Sequence, residues 1–131
     1  PDVAAVGPMS NFVMGVQNFG CGLPPVPHST GLLIGFCVLM RREALDAIGG
    51  VTIGLPGGDD FDYSIRFTQK GYRLVVQGDS YVHHWGCQTG NRLHPGWWNS
   101  DDMIAEVRDE LIRRRGFQNY FTTLAFTPSP L

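Results

Sequence analysis

Apolar and polar positions divide this chain into short strand-like runs that alternate with helical stripes. Asp2 to Gly7 is a short apolar run closed by Gly7-Pro8, which predicts a strand and a stop. Met9 to Ser29 carries glycines and prolines with no clean period and reads as a long loop. Thr30 to Met40 is continuously apolar with Gly35 inside it, the composition of a strand buried on both faces of a mostly parallel sheet. Arg41 to Ile48 predicts a short helix with Leu45 and Ile48 on one face and Gly49-Gly50 as its stop.

A glycine-rich approach, Val51 to Gly58, leads to a second helix that runs to Lys70. Asp59 or Asp60 is placed to cap it, because a carboxylate oxygen accepts from a free N–H of the first turn. Phe61 and Ile65 form one stripe of this helix and Tyr63 and Phe67 another, while Asp62 and Arg66 stand four apart and can pair on the surface. After Gly71, Arg73–Val76 and Ser80–His83 are strand-like, separated by the turn-prone Gln77-Gly78-Asp79. Gly86 to Trp98 is polar, aromatic and irregular. Asn99 or Ser100 caps a last helix, with Asp101 and Asp102 in its first turn and Arg113, Arg114 and Arg115 in its last, an order that suits the helix dipole. Ile104, Val107 and Leu111 form its apolar stripe, Gly116 ends it, and Phe117 to Leu131 reads as an extended tail. The expected fold class is therefore α/β, a mixed, mostly parallel sheet with flanking helices in a single domain over 1–131.

Composition narrows the function. With 43% hydrophobic and 17% charged residues the chain is globular, and 131 residues can bury a real core. A formal charge of −2 lacks the basic face of a nucleic-acid binder. The longest apolar run, Leu32 to Met40, is far too short to span a bilayer, and no basic region followed by an apolar one opens the chain. A cytoplasmic protein without a signal peptide or transmembrane segment is expected. Because it begins at Pro1, the chain reads as a trimmed piece or a fragment. Cys21, Cys37 and Cys87 lack CxxC spacing, so buried or half-buried thiols are expected and not a zinc site.

Three carboxylates follow two glycines in Gly57-Gly58-Asp59-Asp60-Phe61-Asp62. Capping plus a surface ion pair accounts for two of them. A site accounts for all three, since neighbouring carboxylates push one another toward the higher pKa of a general base, and the glycines allow a ligand close to the backbone. His83 and His84 are neighbours; on a strand they would face opposite ways, so one of them is the candidate metal ligand. His28 and His94 fall in loops and are expected to be solvated. Trp85, Trp97 and Trp98 suit either a core or a platform for the C–H faces of sugars. Asn11 lies in the long loop, where it could line a pocket.

Taken in order, Leu32-Leu33-Ile34-Gly35-Phe36-Cys37-Val38-Leu39-Met40-Arg41-Arg42-Glu43-Ala44-Leu45, Ile48-Gly49-Gly50, the Gly58–Arg66 segment, Gly71-Tyr72-Arg73-Leu74 and Tyr81-Val82-His83-His84 resemble the C-terminal, acceptor-side half of family 2 glycosyltransferases with the GT-A (nucleotide-diphospho-sugar transferase-like) fold, over about residues 1–90. The resemblance implies transfer of a sugar from a nucleotide-diphosphate sugar to an acceptor hydroxyl with inversion. It implies Asp60 as base, Asp59 as its paired acid, and His84, or His83 if the register differs, as ligand of a divalent metal (Mn or Mg). Asp62, Arg66 and Trp85 are then expected at the substrate. The family's Asp-x-Asp motif is missing ahead of the 9–29 loop; the spacing occurs only at Asp60-Phe61-Asp62. The expected partners are thus a nucleotide sugar, a hydroxyl acceptor, and either a missing N-terminal half or further copies of the chain that cover an exposed sheet edge. The isolated chain is expected to be inactive or weak. A non-catalytic oligomerisation or carbohydrate-binding module is the alternative; a metal-dependent hydrolase fits the order of motifs less well.

Overall fold

The computed structural model describes residues 2–125 and 128–131, with the Pro130 side chain left aside. Among the described residues five strands, β1 (Val3–Met9), β2 (Pro27–Thr30), β3 (Leu39–Met40), β4 (Arg73–Tyr81) and β5 (Ser129–Pro130), form one mixed sheet in the order β3-β1-β4-β2-β5. Around it stand α1 (Arg42–Ala47), α2 (Asp59–Gln69), α3 (Gln88–Leu93), α4 (Asp101–Arg115) and α5 (Phe117–Leu124). The class is α/β, but the sheet is not mostly parallel. Among the described residues only the strand pair β1–β4 runs parallel; β1–β3, β2–β4 and β2–β5 are antiparallel. Among the described residues the outermost strands are two residues long, which leaves little edge for another strand to extend.

The expected central strand, Thr30–Met40, is the largest correction. Only its two ends lie in the sheet. Between them the chain crosses under α2, and side chains rather than a neighbouring strand satisfy its backbone. Ser64 Oγ accepts from Leu33 N–H (3.3 Å), Gln17 Oε1 from Ile34 N–H (2.6 Å) and Asp60 Oδ2 from Gly35 N–H (3.2 Å), while Tyr63 Oη donates to Leu33 C=O (3.0 Å). Every buried backbone group needs a partner, and here α2 and Gln17 supply it. The covered central strand is β4, whose Leu74, Val75 and Val76 are all buried. Gln77-Gly78-Asp79 does not break it. The triplet forms a bulge where the β1 register jumps from Pro8↔Gln77 to Met9↔Tyr81.

Within the presumed 9–29 loop lie two 3₁₀ turns (Gly15–Gln17, Phe19–Cys21) and β2. His28, expected in solvent, is buried there, with Nδ1 2.7 Å from the Val26 carbonyl oxygen. The core joins Ala4, Ala5 and Met9 of β1, Leu74 and Val76 of β4, Leu33 of the crossing, Ala44 of α1, and Tyr63 and Phe67 of α2. Of the expected stripe on α4, Leu111 is buried and Ile104 exposed, and Met103 takes the inward place. Ser100 caps this helix as expected, its Oγ accepting from Met103 N–H at 3.1 Å.

The expected extended tail is in part a helix, α5. Tyr120 stacks on Phe61 of α2 (centroids 5.8 Å apart), and Asn119 Nδ2 donates to Arg115 C=O (2.6 Å). The Phe61–Tyr120 contact joins segments far apart in sequence, so composition could not reveal it. Phe126 and Thr127 of the same stretch lie outside the described residues. Cys87 is half-buried as expected, whereas Cys21 and Cys37 are exposed. Among the described residues no helix is long and apolar enough to cross a membrane.

Gly57-Gly58 serves packing. A Cβ on Gly58 would stand 2.6 Å from Val107 Cγ1 and 3.0 Å from Leu111 Cδ1, so it is α4, not a ligand, that approaches this backbone. Gly58 is also left-handed, with φ 69°. Gly58→Ala is expected to destabilise the fold by at least about 1–2 kcal/mol from backbone strain, with further loss as α4 shifts. A urea midpoint unchanged from wild type would contradict this account.

Candidate active site

The first turn of α2 holds Asp59 and Asp60, but neither caps it. The N-cap is Gly58, which has no side chain to offer. Asp60 instead reaches to the crossing segment. Its Oδ2 accepts the Gly35 N–H at 3.2 Å, and its Oδ1 accepts the Phe61 N–H at 2.9 Å. Burial pushes the Asp60 carboxyl above its ordinary pKa, the negative charge of Asp59 pushes it the same way, and the two amide bonds only partly offset this. Tyr63, buried beside the pair, is likewise pushed up, by burial first and then by the charges of Asp60 and Asp59.

Beyond the end of β4 the chain leaves the sheet, so the alternation expected for neighbouring strand residues no longer governs His83 and His84. Both line the same cleft of about 520 Å³, together with Gly35, Asp59, Asp60 and Trp85. His84 is held from several sides. Its Nδ1 lies 2.7 Å from the Phe12 carbonyl oxygen. A carbonyl can only accept, so the neutral ring carries its proton on Nδ1 and keeps a lone pair on Nε2. Phe36 stacks on the ring at 5.1 Å. Asn11 brackets the His84 backbone, with Oδ1 accepting from N–H (2.8 Å) and Nδ2 donating to C=O (3.2 Å). His83 is more exposed, its ring edge against Trp85 at 4.7 Å.

Asp62 and Arg66, expected at the substrate, do not line this cleft. Nor is their pair on the surface. Asp62 is 0% exposed and is bonded by Arg66, Arg115 and Thr52. The α-helical spacing did pair the two residues; the arrival of α4 buried them. Trp98 also lines the cleft, lying against Gly90, and Trp97 is half-buried beside it.

Among the described residues no three His, Cys, Asp or Glu side chains gather closely enough to hold a metal ion by themselves. The donors the cleft offers are His84 Nε2, His83 and the exposed Asp59 carboxylate; a divalent ion bound there would complete its shell with ligand oxygens and water.

The cleft brings together Asp59, Asp60, His84 and Trp85, and with them His83, which the sequence offered only as an alternative to His84. The groups that orient them, the Gly35 amide, the Phe12 carbonyl, Phe36 and Asn11, were not legible in that role in the sequence. None of these has a local signature, since Asn11 and His84 are 73 residues apart. Asn11→Ala is expected to cost about 0.5–1.5 kcal/mol for each lost hydrogen bond and to release the His84 ring into mixed tautomers. ¹⁵N NMR of the imidazole reads this directly; an Nδ1–H signal as in wild type would mean that Phe12 is positioned without Asn11.

The fold and cleft define a mixed α/β protein that presents a half-buried acidic group and an oriented imidazole in one open depression. Comparison with protein-family models, curated proteins and solved structures yields no match.

Proposed function

We propose that this chain is the acceptor-side, base-carrying half of an inverting family 2 type glycosyltransferase with a partial GT-A fold. The observation that carries the reading is Asp60: a carboxylate at the start of α2, in the same cleft as His84, with its pKa raised by burial. A base is most effective when its pKa approaches the working pH, and burial moves Asp60 in that direction. In the proposed reaction Asp60 takes the proton of the acceptor hydroxyl as that oxygen attacks the anomeric carbon and the bond to the nucleoside diphosphate breaks. The positive edge of α2 and the Gly35 amide hold the carboxylate in place. Charge on the departing diphosphate would be neutralised by a divalent cation, Mn²⁺ or Mg²⁺, with His84 Nε2, His83 and Asp59 as the protein's donors. The chain's partners are then a nucleotide sugar, an acceptor, and a donor-binding half carrying an Asp-x-Asp motif, in the cytoplasm.

The test has two arms. Calorimetry with Mn²⁺ and a panel of nucleotide sugars reads donor binding, and a transfer assay reads chemistry, each on the chain alone and on the chain completed by a donor-binding half, whether encoded in frame ahead of Pro1 or on a partner. Metal-dependent donor binding with transfer in the completed protein is the expected result. Donor binding absent from the completed protein would overturn the proposal. A second reading, a non-catalytic carbohydrate-binding module, is favoured by Trp85, which is 79% exposed at the cleft mouth. Phe117 and Phe121 expose apolar surface on α5, which fits a further copy of the chain as partner. Light scattering that returned only a 14.5 kDa species at micromolar concentration would rule out this homo-oligomer.

A further inference from the structure

We propose that Phe19, Tyr81, His83 and Trp85 form a docking track for a linear oligosaccharide whose end enters the cleft. The inference deepens the glycosyltransferase reading, on which its naming of the acceptor as a glycan chain rests; the track itself serves a carbohydrate-binding module equally.

Tyr81 is the last residue of β4; His83 and Trp85 lie beyond the sheet, where ring contacts rather than strand alternation join them to Tyr81 in one row. Phe19 meets Tyr81 edge to face at 5.8 Å, Tyr81 Oη stands 3.5 Å from His83 Nδ1, and His83 meets Trp85 at 4.7 Å. The row is open to solvent: Phe19 is 66% exposed and Tyr81 49%. Its last two rings are walls of the cleft that holds Asp59 and Asp60, so whatever lies on the row continues toward those carboxylates.

Three features select the occupant. The rings follow one another from Phe19 to Tyr81 to His83 to Trp85, which suits a chain rather than a flat protein face. Polar atoms, Tyr81 Oη, the His83 ring nitrogens and the Trp85 indole N–H, interrupt the apolar faces, so an acyl chain would leave hydrogen-bonding groups unpaired. Finally, the cleft it leads into presents carboxylates, which call for hydroxyl donors. An extended glycan offers C–H faces that recur along its length with hydroxyl edges between them, and it meets all three conditions.

The probes are cellohexaose, chitohexaose and maltohexaose, each compared with its disaccharide, by calorimetry and by indole fluorescence. At least one hexasaccharide is expected to bind about tenfold or more tightly than its disaccharide. Phe19→Ala and Tyr81→Ala, both at exposed positions, should each weaken the hexasaccharide about threefold to tenfold, the range of one aromatic contact, and leave the disaccharide unchanged. Trp85→Ala should weaken both. The proposal is overturned if affinity does not grow with chain length for any of the three sugars, or if Phe19→Ala and Tyr81→Ala retain full hexasaccharide affinity. It is also overturned if the wild type, but not these variants, co-sediments with phosphatidylcholine or phosphatidylglycerol vesicles, which would make the row a lipid contact. Length-dependent binding without transfer in the completed protein would remove only the enzymatic reading; transfer to short acceptors unaffected by Phe19→Ala and Tyr81→Ala, without any gain from chain length, would remove only the track.

Discussion

Asp60→Asn is expected to lower sugar transfer by about 10²–10⁴-fold in the protein completed by its donor-binding half, with nucleotide-sugar affinity nearly unchanged. A base acts on the acceptor proton in the transition state and contributes little to holding the donor, so kcat should fall while donor binding persists. The same variant has a second, opposite effect on stability. The Asp60 carboxyl titrates above its ordinary value of 3.8 because burial, and then the Asp59 charge, disfavour its ionised form. The folded state thus holds this proton more tightly than the unfolded chain, and ionising Asp60 costs stability. That cost sets in as pH rises from 3.8 through the raised folded value. Asparagine can still accept the Gly35 N–H without carrying charge, so Asp60→Asn should unfold at a higher urea concentration than wild type at pH 7. The advantage should vanish below pH 3.8. A helix-capping aspartate would behave the other way, losing stability on substitution at neutral pH. Normal turnover in Asp60→Asn would refute the assignment of the base.

The largest loss of stability is expected from Asp62→Ala, about 3–5 kcal/mol, the usual cost of removing one partner from a buried ion pair. Arg115 Nε reaches Asp62 Oδ1 at 2.5 Å, Arg66 Nε reaches Oδ2 at 2.8 Å, and Thr52 Oγ1 donates to Oδ2 at 2.5 Å. Arg66 also donates to the carbonyls of Ile48 and Gly50, both at 2.7 Å. One carboxylate therefore ties α2, α4 and the loop after α1 together, and its loss leaves two guanidinium groups without their anion. Burial alone would raise the Asp62 pKa, but hydrogen bonds from Arg115 and Thr52 and the charges of Arg66 and Arg115 outweigh it and hold the carboxyl below 3.8. The sign is opposite to that of Asp60: this stability is present above 3.8 and is lost as pH falls through the lowered folded value. Urea unfolding at pH 7 and in acid should show the difference between wild type and Asp62→Ala shrinking as Asp62 is protonated. A cost below about 1 kcal/mol at pH 7 would instead describe a solvent-exposed pair. Where the variant stays folded, transfer by the completed protein should survive, since Asp62 lies outside the cleft.

Local signals along the chain were sufficient for β1, α1, α2 and α4. Helix stripes, the glycines after α1 and α2, the Ser100 cap and the acidic-to-basic order of α4 each act within a turn or two, so they are visible before folding. That Asp59 and Asp60 lie near one of the two histidines and Trp85 was legible for a related reason: the carboxylates open α2, the histidines and Trp85 follow β4, the next element, and the start of α2 meets the end of β4 at one cleft. Tertiary structure alone decided the rest. Thr30–Met40 has the composition of a strand, yet its hydrogen bonds go to Gln17, Asp60, Tyr63 and Ser64, and residues distant in sequence made that choice. Asp62 and Arg66 pair as their spacing requires, but Arg115, 53 residues from Asp62, determines that the pair is buried and structural. The His84 tautomer depends on a backbone carbonyl 72 residues away. Periodicity and capping report only what a segment does to itself; the partner of a buried polar group, and hence its charge, tautomer and chemistry, is set by which distant segment folds against it.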